Sequence, residues 1–180
     1  MNTLSIEELQ DLLSRPISKQ QVSSLAKTII DQQLVSSVLM PLFFSPSKKV
    51  AGRAAWILSN CAELEPAQLR PFLNEIIETL NRPPVTEAVK RNVLRVLQFL
   101  SPPEASHASL LHHCFNFLQD AGETVAVKVF AMSVLAALVP LYPEIANELV
   151  LVLEDLLENK STPGIRSRAR KVLMQLHGQS

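Results

Sequence analysis

The chain has 180 residues, 47% of them apolar and 19% charged, which excludes a solvating, disordered composition and suffices for a domain with a buried core. Its 17 basic residues balance 17 acidic ones, so no net field draws it to nucleic acid or an anionic membrane; such binding needs a local patch. Two cysteines without metal-ligand spacing read as reduced thiols of a cytoplasmic protein. Met1–Ser14 carries acids and no basic stretch before an apolar run, unlike a signal peptide, and runs such as Val134–Leu141 are too short to span a bilayer.

In chain order, Ser5 with Glu8 and Ser18 with Gln21 read as capping boxes that open two helices within residues 1–33. From Leu34 onward the chain repeats. Leu58, Leu97, Leu135 and Leu173 recur with a period of about 38 residues, the scale of repeats built from helix pairs. Eight residues before each is Val50, Val89, Val127 or Ile165; four before is Ala54, Val93, Ala131 or Ala169; three after is Cys61, Leu100, Leu138 or Leu176. This spacing places one apolar stripe on each of four equivalent helices. A partner helix precedes each, marked by Leu34–Phe44 and then by Leu80, Leu118 and Leu156, each nine residues before the next second helix begins its stripe. Ser45-Pro46-Ser47, Arg82-Pro83-Pro84, Ala121-Gly122 and Thr162-Pro163-Gly164 punctuate the pairs. Such a pair cannot bury its apolar face alone, so neighbouring pairs must stack.

Val-Lys-Arg-Asn-Val-Leu-Arg-Val-Leu (89–97) and Ile-Arg-Ser-Arg-Ala-Arg-Lys-Val-Leu (165–173) resemble second helices of HEAT repeats, where a Val-Arg or Val-Lys pair opens the helix. The likeness spans Leu34 to Leu176 and departs in the first unit, which has Ala51 where a base is usual. The whole chain resembles short bacterial HEAT-like proteins of unassigned function. The likeness implies an all-α, right-handed superhelix of four helix pairs (34–176) with extra N-terminal capping helices (1–33), forming one domain over 1–180. It further implies a binding scaffold of the armadillo-type helical class rather than an enzyme.

Candidate chemistry is sparse. His107, His112, His113 and Cys114 cluster, but adjacent helical histidines point about 100° apart and do not share an ion well. Cys114 occupies the core slot of Ile76 and Val152, so no metal is expected. Ser36-Ser37-Val38-Leu39-Met40-Pro41 resembles the mobile Ser-Ser loop of adenylosuccinate lyases, yet it carries an inserted residue and lacks the lysine and asparagine that follow there. With no phosphate loop, nucleophile elbow or spaced metal set, no catalytic residue and no cofactor is assigned.

Charge is segregated. Bases concentrate on second helices, acids such as Glu75, Glu78, Glu148, Glu154 and Glu158 on first helices. If second helices line the concave side, as in HEAT proteins, the inner layer is basic. Residues two and six before each anchor point away from the core stripe. They include Trp56, Arg95, Lys171 and Arg91, flanked by Arg53 and Arg168. These six residues are the candidate binding row for a protein partner with an acidic or mixed segment. Truncating Arg95 on such a row is expected to cost under about 1 kcal/mol. Lys90, Lys128 and Arg166 lie nearer the core edge and are expected to make structural contacts. Nucleic-acid binding is the second reading; the neutral third unit (Ala126, Val129, Phe130, Met132, Ser133, Ala136) weakens it by interrupting the basic row. An enzyme without recognisable motif is the third.

Overall fold

The computed structural model describes residues 3–159 and 161–178; the two ends of the expected 1–180 domain lie outside that range. Every regular element among the described residues is helical, as the repeat pattern requires. The chain forms two compact units, Met1–Pro102 and Pro103–Ser180.

The first unit opens with α1 (Ile6–Ser14) and α2 (Lys19–Asp31). Both start at the capping boxes read from sequence: the Ser5 and Ser18 side chains accept from the amides of Glu8 and Gln21, whose side chains accept from the cap amides in return. A π-turn, Val35–Leu39, leads into α3 (Met40–Phe43). Pro41 accounts for it: proline has no amide to donate and its ring displaces the carbonyl four residues back, so a wider turn absorbs the misfit. The Ser36–Pro41 segment is thus helical, with Val38, Leu39 and Met40 buried. Then come α4 (Lys48–Leu64), the short α5 (Leu73–Glu78) and α6 (Glu87–Val96). Ser47 and Thr86 cap α4 and α6 by accepting from Val50 and Val89 amides.

Helix α4 is the centre of this unit, with α1, α2, α3 and α6 all packed on it. Buried Val22, Ala26 and Ile29 of α2 repeat, at the same internal spacing, the slots of Val50, Ala54 and Ile57 of α4. The α1–α2 pair therefore reproduces the design of the pairs that follow. Where α4 and α6 cross, both are small: a Cβ built on Gly52 would lie 3.1 Å from the Ala88 Cβ. That approach explains a glycine inside a helix despite its poor propensity.

The second unit contains α7 (His107–Gln119), α8 (Val125–Leu138), α9 (Ala146–Glu158) and α10 (Pro163–His177). Helix α8 packs on α7 and α10, and α10 also on α9. Pro163 stands in the first turn of α10, where a missing amide costs nothing, and Thr162 caps that helix. The core slots of the repeat are filled by Leu118, Val127, Ala131, Leu135, Leu153 and Ala169. Of the four anchors, Leu58, Leu97 and Leu135 are buried, while Leu173 is half-buried.

The histidines are structural neighbours of aromatic and amide groups. His107 is buried, with Nδ1 2.9 Å from the Tyr142 hydroxyl; His112 Nε2 meets Asn116 Nδ2 at 3.0 Å; His113 stacks on Phe117. Among the described residues no group of three or more His, Cys, Asp or Glu is placed to hold a metal ion.

Candidate binding surfaces

In the first unit, one face of α4 carries Arg53, Trp56, Asn60 and Glu63, spaced at successive helical turns. Trp56 is half-buried. Beside this face α6 presents Arg91 and Arg95, one turn apart. Arg53 and Trp56 thus share a face of α4, and Arg95 reaches that helix through Ser59 and Glu63, with Arg91 one turn earlier on α6.

The arginines, however, are committed. Arg53 Nη1 donates to the Leu13 carbonyl at 2.6 Å. That oxygen belongs to the last turn of α1, where carbonyls lack helical partners and the helix dipole favours a cation. Arg95 Nη1 donates to the Ser59 hydroxyl at 3.0 Å, and its Nη2 pairs with Glu63. Its guanidinium also lies 5.9 Å from the Phe99 ring centroid. Behind Ser59 stands Asn92, 2% exposed, whose Oδ1 shares the Ser59 hydroxyl proton, at 3.0 Å, with the Trp56 carbonyl at 2.9 Å, while its Nδ2 donates to the Ala88 carbonyl at 2.7 Å. Arg91 makes only a long contact, 3.7 Å, with the exposed Glu87 one turn earlier. Such a pair contributes little in water.

The second unit holds the other two candidates. Arg168 Nη1 donates to the Ser133 hydroxyl at 2.9 Å, and that hydroxyl donates in turn to the Val129 carbonyl at 3.1 Å. Lys171 is exposed.

These placements correct two expectations. The arginines at 53, 95 and 168 tie their helices to the preceding pair, whereas Arg166, expected near the core edge, is exposed. Lys128 does make the structural contact expected of it: it is 6% exposed and donates to the Leu118 carbonyl at 3.1 Å. A second helix that buried only one stripe would leave the opposite row open. In the structure α4 packs against α3 of its own pair and against α2 and α6 on either side, so the row opposite its stripe is partly covered. Gly52, six before its anchor, is buried for that reason. With two hydrogen-bonded contacts at its guanidinium, Arg95 is worth more to the fold than an exposed base.

Both cysteines are free and buried. Desolvation pushes the Cys61 thiol up to about 12, partly offset by a hydrogen bond from its own backbone amide to the sulfur. Its sulfur lies 3.8 Å from the Ala26 carbonyl of α2. Burial likewise raises the Cys114 thiol.

A sequence model of the HEAT repeat domain matches residues 9–176, from inside α1 to the end of the last core stripe. The chain belongs to the HEAT-repeat family. No curated protein and no solved structure matches it. The family match starts at Leu9, in agreement with the recurrence of the core slots in α2. HEAT repeats generally serve as protein-interaction scaffolds. No described helix of this HEAT-repeat protein is long and apolar enough to cross a membrane.

Proposed function

We propose that this HEAT-repeat chain is a non-enzymatic, cytoplasmic protein-binding scaffold whose first unit receives an acidic or mixed segment of a partner around Trp56. The observation that carries the reading is Trp56 and Arg53 on one face of α4, with Arg95 reaching that helix through Ser59 and Glu63 and Arg91 one turn earlier on α6. A half-buried tryptophan flanked by immobilised guanidinium groups is the composition of interface centres, where aromatic and arginine anchors dominate. Immobilisation helps, because side chains already ordered by Leu13, Ser59 and Glu63 lose less entropy on binding. The carboxylate of Glu63 within the row suits a mixed peptide better than a phosphate backbone. In the second unit, Arg168 and the exposed Lys171 offer a separate basic contact.

The test is capture of partners from lysate by the native chain, followed by titration of the captured acidic protein against variants. Trp56→Ala and the pair Arg91→Glu with Lys171→Glu should each weaken binding at least about tenfold with the fold intact. Glu154→Lys with Glu158→Lys on α9 should leave it unchanged, since exposed charges beyond about 8–10 Å are screened. Loss of binding in the α9 variant alone would move the site to the acidic helices. Tight binding of a DNA or RNA duplex with a steep salt dependence would replace the protein-binding reading by the nucleic-acid one.

A further inference from the structure

A cavity of the second unit, about 670 Å³, lies where the turn from α7 to α8 meets the turn from α9 to α10. Its volume falls within the range of about 300–1,000 Å³ typical of small-ligand sites. Leu118, Val152, Leu156 and Ile165 supply apolar wall, and the 67% exposed Leu151 stands on it too.

Two polar groups on this wall lack what burial normally demands. Lys128 is 6% exposed, and its ammonium carries three donors, of which one goes to the Leu118 carbonyl. No carboxylate of the described residues forms an ion pair with it. A buried charge without a counter-ion is costly, and the carbonyl at the end of α7 supplies only part of the compensation. The second group is the Ser161 hydroxyl, buried and without any hydrogen-bond partner among the described residues. The first turns of α8 and α10 also open here through Val125 and Ile165, adding the positive ends of two helix dipoles.

We propose that this cavity binds a small amphipathic carboxylate, its head between the Lys128 ammonium and the Ser161 hydroxyl and its aliphatic body against Leu118, Val152, Leu156 and Ile165. The head completes both groups, since a carboxylate accepts from an ammonium and a hydroxyl at once. A single negative charge matches the one ammonium that the described residues place on this wall. A dianion such as phosphate is disfavoured by Glu123 and Asp155 on the same wall. Those two acids are already served, Glu123 by the Thr124 amide at 2.9 Å and Asp155 by the Asn159 amide group at 2.8 Å.

Calorimetric titration of the full chain with octanoate, and with octylamine as a probe of equal body and opposite charge, tests the assignment. Octanoate should saturate one site, and octylamine should not bind. Ser161→Ala should weaken octanoate about threefold to tenfold, and Lys128→Met about tenfold or more, with Lys128→Arg retaining most of the affinity. Absence of saturable octanoate binding, equal binding of octylamine, or wild-type affinity in Ser161→Ala would each overturn the proposal. The wild-type comparison and Ser161→Ala decide the matter even if Lys128→Met does not fold. Neither readout depends on the scaffold role of the first unit, so failure of partner capture leaves this site untouched.

Discussion

The Arg53 guanidinium donates to the Leu13 carbonyl at 2.6 Å, which fastens the middle of α4 to the last turn of α1. Together with the apolar contact of α2 on α4, this makes the N-terminal pair a structural part of the first unit.

A chain that starts at residue 34 should therefore lose more than a cap. Removing α2 takes Val22, Ala26 and Ile29 away from α4 and exposes Cys61, which now faces the Ala26 carbonyl. We expect the truncated chain to melt earlier and Cys61 to react with a maleimide within the dead time of ordinary labelling, while Cys114 stays protected. Equal protection of Cys61 in both chains would mean that α2 is dispensable for the α4 core.

The contacts of Arg95 predict a cost that its sequence position does not. Arg95→Ala should destabilise by about 1–2 kcal/mol, since a hydrogen bond with a charged partner is lost. Glu63→Ala should cost under about 1 kcal/mol because that carboxylate is half-exposed and its pairing is screened. Leu97→Ala, in the core stripe, should cost about 2–5 kcal/mol. A double-mutant cycle between Ser59→Ala and Arg95→Ala checks the assignment by urea unfolding; strict additivity would show that the hydrogen bond between them adds nothing.

Gly52→Ala sets helix propensity, a gain of about 1 kcal/mol, against a collision. The new methyl would sit 3.1 Å from the Ala88 Cβ, which is fixed to a helix backbone and has no rotamer to escape into. Overpacking at such a point costs about 1–3 kcal/mol, so the net change should be destabilising. Adding Ala88→Gly to the same chain should restore part of the loss, as read by thermal melting. A melting temperature that rises in the single variant would show that α4 and α6 separate freely.

Both thiols have folded-state pKa values raised by burial, Cys61 to about 12. The protonated form is the one the fold prefers, so the contribution is complete below the ordinary thiol range near 9 and is lost as pH climbs from there towards 12. Unfolded thiols release protons in that window and folded ones do not. By pH 10 each thiol should have removed about 1–2 kcal/mol of stability. Unfolding free energies at pH 7.5 and pH 10 should thus differ more for the native chain than for Cys61→Ala with Cys114→Ala. An identical difference in the two proteins would contradict the desolvated state of the thiols.

The repeat was legible because a core slot constrains residue type strongly: Ala54, Val93, Ala131 and Ala169 are all buried, and each is small or β-branched. The N-terminal pair is out of step with that period. Its slots precede those of α4 by a shorter interval, the loop and first helix between them being shorter. First helices are less legible for a related reason. Helix α5 is short and flanked by 3₁₀ turns at Arg70–Phe72 and Thr79–Asn81, which breaks the helical period on which such a reading depends. The candidate binding row was only half legible. Sequence spacing placed Trp56, Arg53, Arg91 and Arg95 on one surface, but whether a guanidinium is available depends on the acceptor across the groove. Leu13, Ser59 and Ser133 carry no sign of that role in the sequence. The cavity beside Lys128 left no trace there: a lysine at the core edge is visible, whereas an unpartnered hydroxyl at Ser161, beyond the next helix, is not.

The Asn92–Ser59 pair has a bearing on how α6 knows where to sit along α4. Apolar slots spaced by whole turns are nearly degenerate, because sliding one helix past another by a turn, about 5.4 Å, brings valine against alanine again. A buried amide breaks that degeneracy. In any shifted alignment Asn92, 2% exposed, would lose the Ser59 hydroxyl and leave its own oxygen unserved in an apolar groove. The pair therefore acts as a registration pin, contributing little to the depth of the native well and much to its uniqueness.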